Sequence, residues 1–167
     1  MTGAVSEQAR LLGPGFATRR DLTTYLGIGP RNDLKCIGHR FLKPNRVGLF
    51  SWTDIWFRLW RIRNVPVHAF EPMKSPLLTN ADVAALVGIH ERTIHRDGEL
   101  PVSRFNLPDF LDLSHRMRRH HPMRIAAWER EQPTPSWLQP VSGGSELGLT
   151  PRKVVSKKRT DPTDADN

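Results

Sequence analysis

A single cysteine, Cys36, stands among 167 residues, so the chain cannot form an internal disulfide. Its neighbours, LKCIG, suit a small buried apolar side chain better than a nucleophile. No apolar run approaches the ~20 residues a membrane span requires. The first residues, MTGAVSEQAR, lack a basic stretch followed by an apolar one, the mark of a secretion signal. Together these absences predict a cytoplasmic protein without a membrane partner. Zinc-protease spacing is missing too: in GIHERTIHRD the histidines His90 and His95 are five residues apart instead of four. At ~100° per residue they diverge by roughly 140° around a helix, which one metal ion cannot bridge. His115, His120 and His121 have no carboxylate or thiol at ligand spacing. Neither a catalytic constellation nor a cofactor motif is legible, so no enzyme, metal or cofactor is expected.

What the chain does have is positive charge, 25 Lys and Arg against 17 Asp and Glu, for a net +8. That balance favours a polyanionic partner. It is unevenly placed: residues 16–64 carry +7, whereas 77–131 hold eight arginines and eight acids. The first stretch should therefore supply most of the attraction to phosphates. In the second, Arg116, Arg118, Arg119 and Arg124 form a local basic cluster.

The chain also carries one pattern twice. FATRRDLTTYLGI (16–28) aligns without a gap on LLTNADVAALVGI (77–89), with Thr18/Thr79, Asp21/Asp82, Gly27/Gly88 and Ile28/Ile89 identical. Each copy predicts a short amphipathic helix. Thr18 or Thr79 caps it, Asp21 or Asp82 sits in its first turn, and Leu22/Tyr25/Leu26 or Val83/Leu86/Val87 form its apolar stripe. Gly27 or Gly88 ends it, and Ile28 or Ile89 anchors the turn. A second helix follows, opening near Pro30 in copy one and spanning Glu91–Arg96 in copy two. Helix, glycine turn, helix is the helix-turn-helix pattern.

Further on, FSWTDI (50–55) falls on FNLPDF (105–110). In copy one, residues 40–50 predict a basic β-wing turning at Lys43-Pro44-Asn45-Arg46. Ser51 then caps a third helix bearing Trp52, Ile55, Trp56, Leu59 and Trp60. Tryptophans at this spacing seal a small core; the other use open to them is stacking on bases. On the same alignment copy two is six residues shorter between its matched ends. Its wing shrinks to 100–105, and Asn106 opens a third helix toward Leu113.

These residues resemble the winged helix-turn-helix domains of the excisionase and MerR-like group, most closely in LLTNADVAALVGIHERTIHRDGELPVSRFNLPDFLDL. The resemblance covers roughly residues 16–120. It implies a mainly α fold with short β-wings, made of two tandem winged helix-turn-helix units (16–63 and 77–131). A Pro-containing linker (64–76, reaching at most ~43 Å) joins them. Met123–Glu131 predicts a C-terminal helix with Ile125 and Trp128 on one face, and 132–167 a disordered tail with the basic run Arg152–Arg159.

The implied function is sequence-specific binding of double-stranded DNA by a bacterial or mobile-element transcriptional regulator, with RNA polymerase as protein partner. One alternative is an excisionase-like directionality factor working with an integrase, and another a protein-interaction adaptor using the second unit. Candidate DNA contacts are Arg31, Asn32, Lys35, Arg40, Lys43, Asn45 and Arg46 in the first unit. In the second they are Glu91, Arg92, His95, Arg96 and Arg104. Ile94 faces inward. Glutamate can accept from cytosine N4 and arginine can fork onto guanine, so these residue types suit base reading; a solvated helix face is the plainer alternative.

Overall fold

The computed structural model describes residues 13–29, 42–100, 103–114 and 117–141. Over these described residues it is mainly α, with six helices and two small antiparallel sheets of two strands each. The order is β1 (Phe16–Ala17), α1 (Arg19–Leu26), β2 (Phe50–Ser51), α2 (Trp52–Trp60), a 3-10 turn (Val67–Ala69), α3 (Phe70–Met73), α4 (Asn80–Val87), α5 (Glu91–Glu99), β3 (Phe110–Ser114), β4 (Met117–His120), α6 (Pro122–Glu129) and a second 3-10 turn (Ser136–Leu138).

The two short helices expected from the repeat form with their expected ends. Thr18 and Thr79 each accept a bond from the backbone N–H three residues on, and Asp21 and Asp82 reach back to the N-cap N–H at 2.8 and 2.7 Å. Two donors that helix geometry leaves orphaned are thus satisfied at each start. Gly27 (φ 61°) and Gly88 (φ 71°) close the helices in the left-handed conformation. The α1 stripe Leu22, Tyr25 and Leu26 is buried as expected, but in α4 only Val83 is; Val87 is half-covered and Leu86 is exposed.

Strand pairing moves the second half of the repeat. Ala17 pairs with Phe50 just before α2. The counterpart of Ala17 is Leu78, and it exchanges both backbone bonds with His120, just before α6. The match of Phe50 is therefore His120 and not Phe105, and Ile55 in α2 corresponds to Ile125 in α6, both buried. Copy two spans 31 positions from Ile89 to His120 against 22 in copy one, so it is the longer. The third helix expected from Asn106 toward Leu113 is absent. Asn106 takes φ 54°, and Phe110–Ser114 is a strand paired antiparallel with Met117–His120, with a register shift between Asp112 and Ser114. Alternation explains it: Leu111 is buried, Asp112 exposed.

In copy one the turn falls at 45–48, later than expected, with Asn45 N–H donating to Leu49 O and Gly48 N–H to Asn45 O. The strand that follows it pairs with β1. Ser51 precedes α2 without a side-chain cap; its hydroxyl bonds Thr53 Oγ1 at 2.7 Å.

One apolar cluster crosses the expected boundary between units. It joins Tyr25, Trp52, Ile55, Trp56, Leu59 and Trp60 to Leu77, Leu111 and Leu138. The tryptophans are core: Trp56 and Trp60 are each 1% exposed. Trp60 Nε1 donates to Tyr25 Oη at 3.1 Å, which lets a buried indole and phenol satisfy each other. A smaller cluster, Val83, Ala84, Ile94, Leu107 and Ile125, seats α4, α5 and α6.

The expected spacer 64–76 is not a tether. Pro66 starts the first 3-10 turn and α3 continues it, burying Ala69 and Met73 in the main cluster. The expected disordered tail is likewise corrected up to Val141. Leu138 is fully buried, Arg124 donates through Nε and Nη2 to its carbonyl, and Val141 N–H donates to Arg61 O. The run Arg152–Arg159 lies outside the described residues, as does Cys36.

Buried His121 joins the two halves from the α6 side. Its Nδ1 accepts from Met123 N–H, its ring meets Trp60 edge-on at 5.3 Å, and its Nε2 has no partner among the described residues. Burial, helped by the nearby Arg124 charge, lowers its pKa to about 3. The folded protein therefore holds it neutral while an unfolded chain protonates it near pH 6.5. Stability from this residue is complete above that pH and lost as pH falls toward 3, at ~1.4 kcal/mol per unit. Urea unfolding at pH 7, 6 and 5 should show this slope in the wild type and a slope flatter by one proton in His121→Ser, which keeps an N-cap oxygen.

Candidate nucleic-acid interface

Helices α4 and α5 meet through the three-residue turn Gly88-Ile89-His90. Ile89 N–H donates to Ala84 O, and Ile89 packs on the smaller cluster. His90 is the N-cap of α5, its Nδ1 accepting from Arg92 N–H at 3.1 Å. The histidine that sets up the apparent zinc motif is thus a helix cap, a job its ring nitrogen does in place of a serine oxygen. Among the described residues no group of three His, Cys, Asp or Glu side chains could hold a metal ion.

Along α5 the inward positions are Ile94 and Asp97. Glu91, Arg92 and Arg96 are exposed, as the amphipathic pattern predicts. His95 is only half-exposed and its Nδ1 lies 3.3 Å from Glu99 Oε1 one turn on, so an intrahelical contact already occupies it. Arg104 is exposed and borders, with Arg96, a cleft of about 390 Å³ floored by Leu100 and Phe105. The structure therefore brings Glu91, Arg92, His95 and Arg96 onto one helix and sets Arg104 beside it.

Two residues that fix this arrangement were not foreseen. Asp97, 2% exposed, accepts from Ser103 Oγ at 2.5 Å and Arg104 N–H at 2.6 Å, tying the loop after α5 to the helix. A signal existed: Asp97 follows Ile94 by three positions and so shares its buried face. Arg118 on β4 lies against the other side, its Nη1 donating to His95 O at 2.7 Å and its Nε to Asp112 at 3.1 Å, over the Phe110 ring. Arg118 runs so close to α5 that a Cβ on Gly98 would stand 1.9 Å from Nη1.

Gly98→Ala should therefore displace this guanidinium. Better helix propensity, worth about 1 kcal/mol, offsets the lost bond, so the melting temperature should barely move. Hydrogen exchange in residues 117–120 should nevertheless accelerate in the variant. Unchanged exchange would show that the hairpin does not depend on Arg118.

Of the expected basic cluster, Arg119 and Arg124 are buried and offer no surface. Arg119 is buried and donates from Nε to Leu26 O and from Nη2 to Gly27 O, closing the C-terminus of α1. Burial pulls its pKa down, while Asp82 opposes the shift. Arg124 is buried beneath the tail, 5.4 Å above the Trp60 ring, and burial lowers its pKa as well. Arg116 lies outside the described residues.

On the first half, Lys43 and Arg46 are exposed beside the 45–48 turn. Asn45 uses its Oδ1 to accept from Val47 and Leu49 N–H at 3.0 and 2.9 Å, which makes it the residue that shapes the turn. Arg31, Asn32, Lys35 and Arg40 lie outside the described residues.

No family model matches the chain, and neither a curated protein nor a solved structure matches it significantly.

Proposed function

We infer that the protein binds double-stranded DNA as a sequence-specific regulator, with α5 as the reading helix of a winged helix-turn-helix and the β3–β4 hairpin as its wing. One observation carries the reading. Helix α5 is held by α4 through a tight glycine turn and buries Ile94 and Asp97, leaving Glu91, Arg92 and Arg96 exposed on a supported helix. The net charge of +8 supports a polyanionic partner. The first half repeats the strand–helix entry and the strand–helix exit of the second, and Lys43 and Arg46 would serve there as phosphate contacts. The excisionase-like role shares every one of these features.

Leu86 supports a second reading. It is 51% exposed on α4 at a groove with Val87, Phe105 and Trp128, which suits an adaptor that docks a protein through this half.

The test is a base-substitution scan of a site selected from random duplexes, read with wild type and Arg92→Ala. Loss of preference at one or two adjacent base pairs, by ~1–3 kcal/mol, is expected, with the salt dependence nearly unchanged. Equal weakening on every sequence would reduce Arg92 to a phosphate contact, and no binding of duplexes at low salt would leave the adaptor reading.

A further inference from the structure

The two copies of the repeat differ on the outer sides of α1 and α4. Position for position, Arg20, Thr24 and Tyr25 of α1 fall on Ala81, Ala85 and Leu86 of α4. Tyr25 is 1% exposed because later elements close over it: Trp60 donates to its hydroxyl and Leu77 N–H to its carbonyl. Leu86, at the matched position, is 51% exposed, and Ala81 and Ala85 are exposed with it. A helix that is apolar all round is ordinarily buried all round.

Leu86 borders a groove of about 340 Å³ lined by Val87, Phe105 and Trp128, with Glu129 and Glu131 as its charged members. Neither carboxylate has a hydrogen bond or ion pair among the described residues, and Arg130 between them does not line the groove. The matching occupant is apolar at its centre and positively charged at its flanks. Residues 142–167 contain such a stretch, Arg152-Lys-Val-Val-Ser-Lys-Lys-Arg159, with five cations around Val154 and Val155. In an extended chain Lys153, Val155 and Lys157 share one face. The path to the groove is short. Leu138 O is bonded to Arg124 of α6, and Trp128 lies four residues, ~6 Å, further along that helix. The 11 positions from Val141 to Arg152 reach up to ~36 Å, well beyond the radius of gyration of ~13 Å usual for about 100 folded residues.

We propose that residues 152–159 dock in cis in the groove beside α4, with Val155 against Leu86, Phe105 and Trp128 and the flanking lysines against Glu129 and Glu131. The segment then covers in copy two the helix position that later chain covers in copy one. The groove is the one that favours the adaptor reading, and its occupant comes from within the chain, so an outside protein binds there only by displacing it. The docking does not rest on DNA binding, and its test contains no nucleic acid. Its failure would leave the groove open to an outside protein.

Zero-length carbodiimide coupling of the full chain provides the test, since it joins a lysine to a carboxylate only where the two already touch. Peptide mass mapping of the monomer band should find Lys153, Lys157 or Lys158 joined to Glu129 or Glu131. The double variant Val154→Asp/Val155→Asp should cut that yield ~10-fold, the scale of one buried valine. Leu86→Asp, at an exposed position, should do the same from the groove side. In the 15N-labelled chain the Trp128 indole N–H signal, assigned through bonds in the wild type, should move when the two valines are replaced. Absence of these crosslinks, or a Trp128 signal that the valine variant leaves in place, overturns the proposal. Crosslinks confined to the dimer band would give the groove to the tail of a second copy, and a yield that ignores both variants would leave a contact between charges alone. Either result overturns docking in cis through the valines.

Discussion

Replacing Trp60 with alanine is expected to cost about 4 kcal/mol and to unfold both halves of the described chain together. The indole is 1% exposed and touches both sides: it donates to Tyr25 from α1, meets His121 at the start of α6 and lies under Arg124. Deleting it leaves a cavity where the halves meet, a buried Tyr25 hydroxyl without its donor, and an arginine without its ring. Burial already pushes the Tyr25 pKa up. Urea unfolding followed by far-UV circular dichroism and by the remaining tryptophans should give one coincident transition at a lower midpoint. Two separated transitions, with residues 77–131 still folded at the wild-type midpoint, would mean that the halves are independent domains.

The second large effect belongs to Arg119. Its fork holds the Leu26 and Gly27 carbonyls, which a helix end leaves without intrahelical donors, and its charge sits at the negative end of the α1 dipole. Arg119→Ala should cost about 2–4 kcal/mol, because the buried Leu26 carbonyl and the part-buried Gly27 carbonyl lose a charged donor at once. Arg119→Lys should recover only part of that, since an ammonium cannot reproduce the planar fork. Both are read from urea midpoints at pH 7. A cost under about 1 kcal/mol for the alanine variant would show that water replaces the guanidinium freely.

Local chemistry was legible in the sequence. A threonine with an aspartate three residues on, a glycine after the apolar stripe, and the inward Ile94 all depend on neighbours within one or two turns. So does the burial of Trp52, Trp56 and Trp60, which their helical spacing marks as one face. What failed depended on distant pairing. LPDFLDL carries Leu107, Phe110 and Leu111 at helical spacing and also alternates like a strand; the choice fell to β4, and the register to the bridge between Leu78 and His120 across 42 positions. Prolines misled in the linker because proline stops a helix and also starts one, as Pro66 does for the turn after it. In the tail, Pro and Gly outweighed the two side chains that matter, Trp137 and Leu138.

The candidate site divides the same way. The exposed positions of α5 follow from its periodicity, but no charge count separates Arg92, which faces solvent, from Arg119, which caps a helix 93 residues earlier. Asp97 belongs to the same class, since an acid on an apolar face makes sense only once the loop at 103–104 supplies its donors.

Leu138 lies 78 positions after Trp60 in the cluster they share, and this separation sets a condition on synthesis. At ~5–20 residues per second, a ribosome needs roughly 4–16 s to pass from one to the other. For that interval the nascent chain presents Trp52, Trp56 and Trp60 before the residues that cover them exist. The tryptophan helix is thus a natural landing place for a chaperone, and a pause in translation between these points should raise the fraction of chains that aggregate.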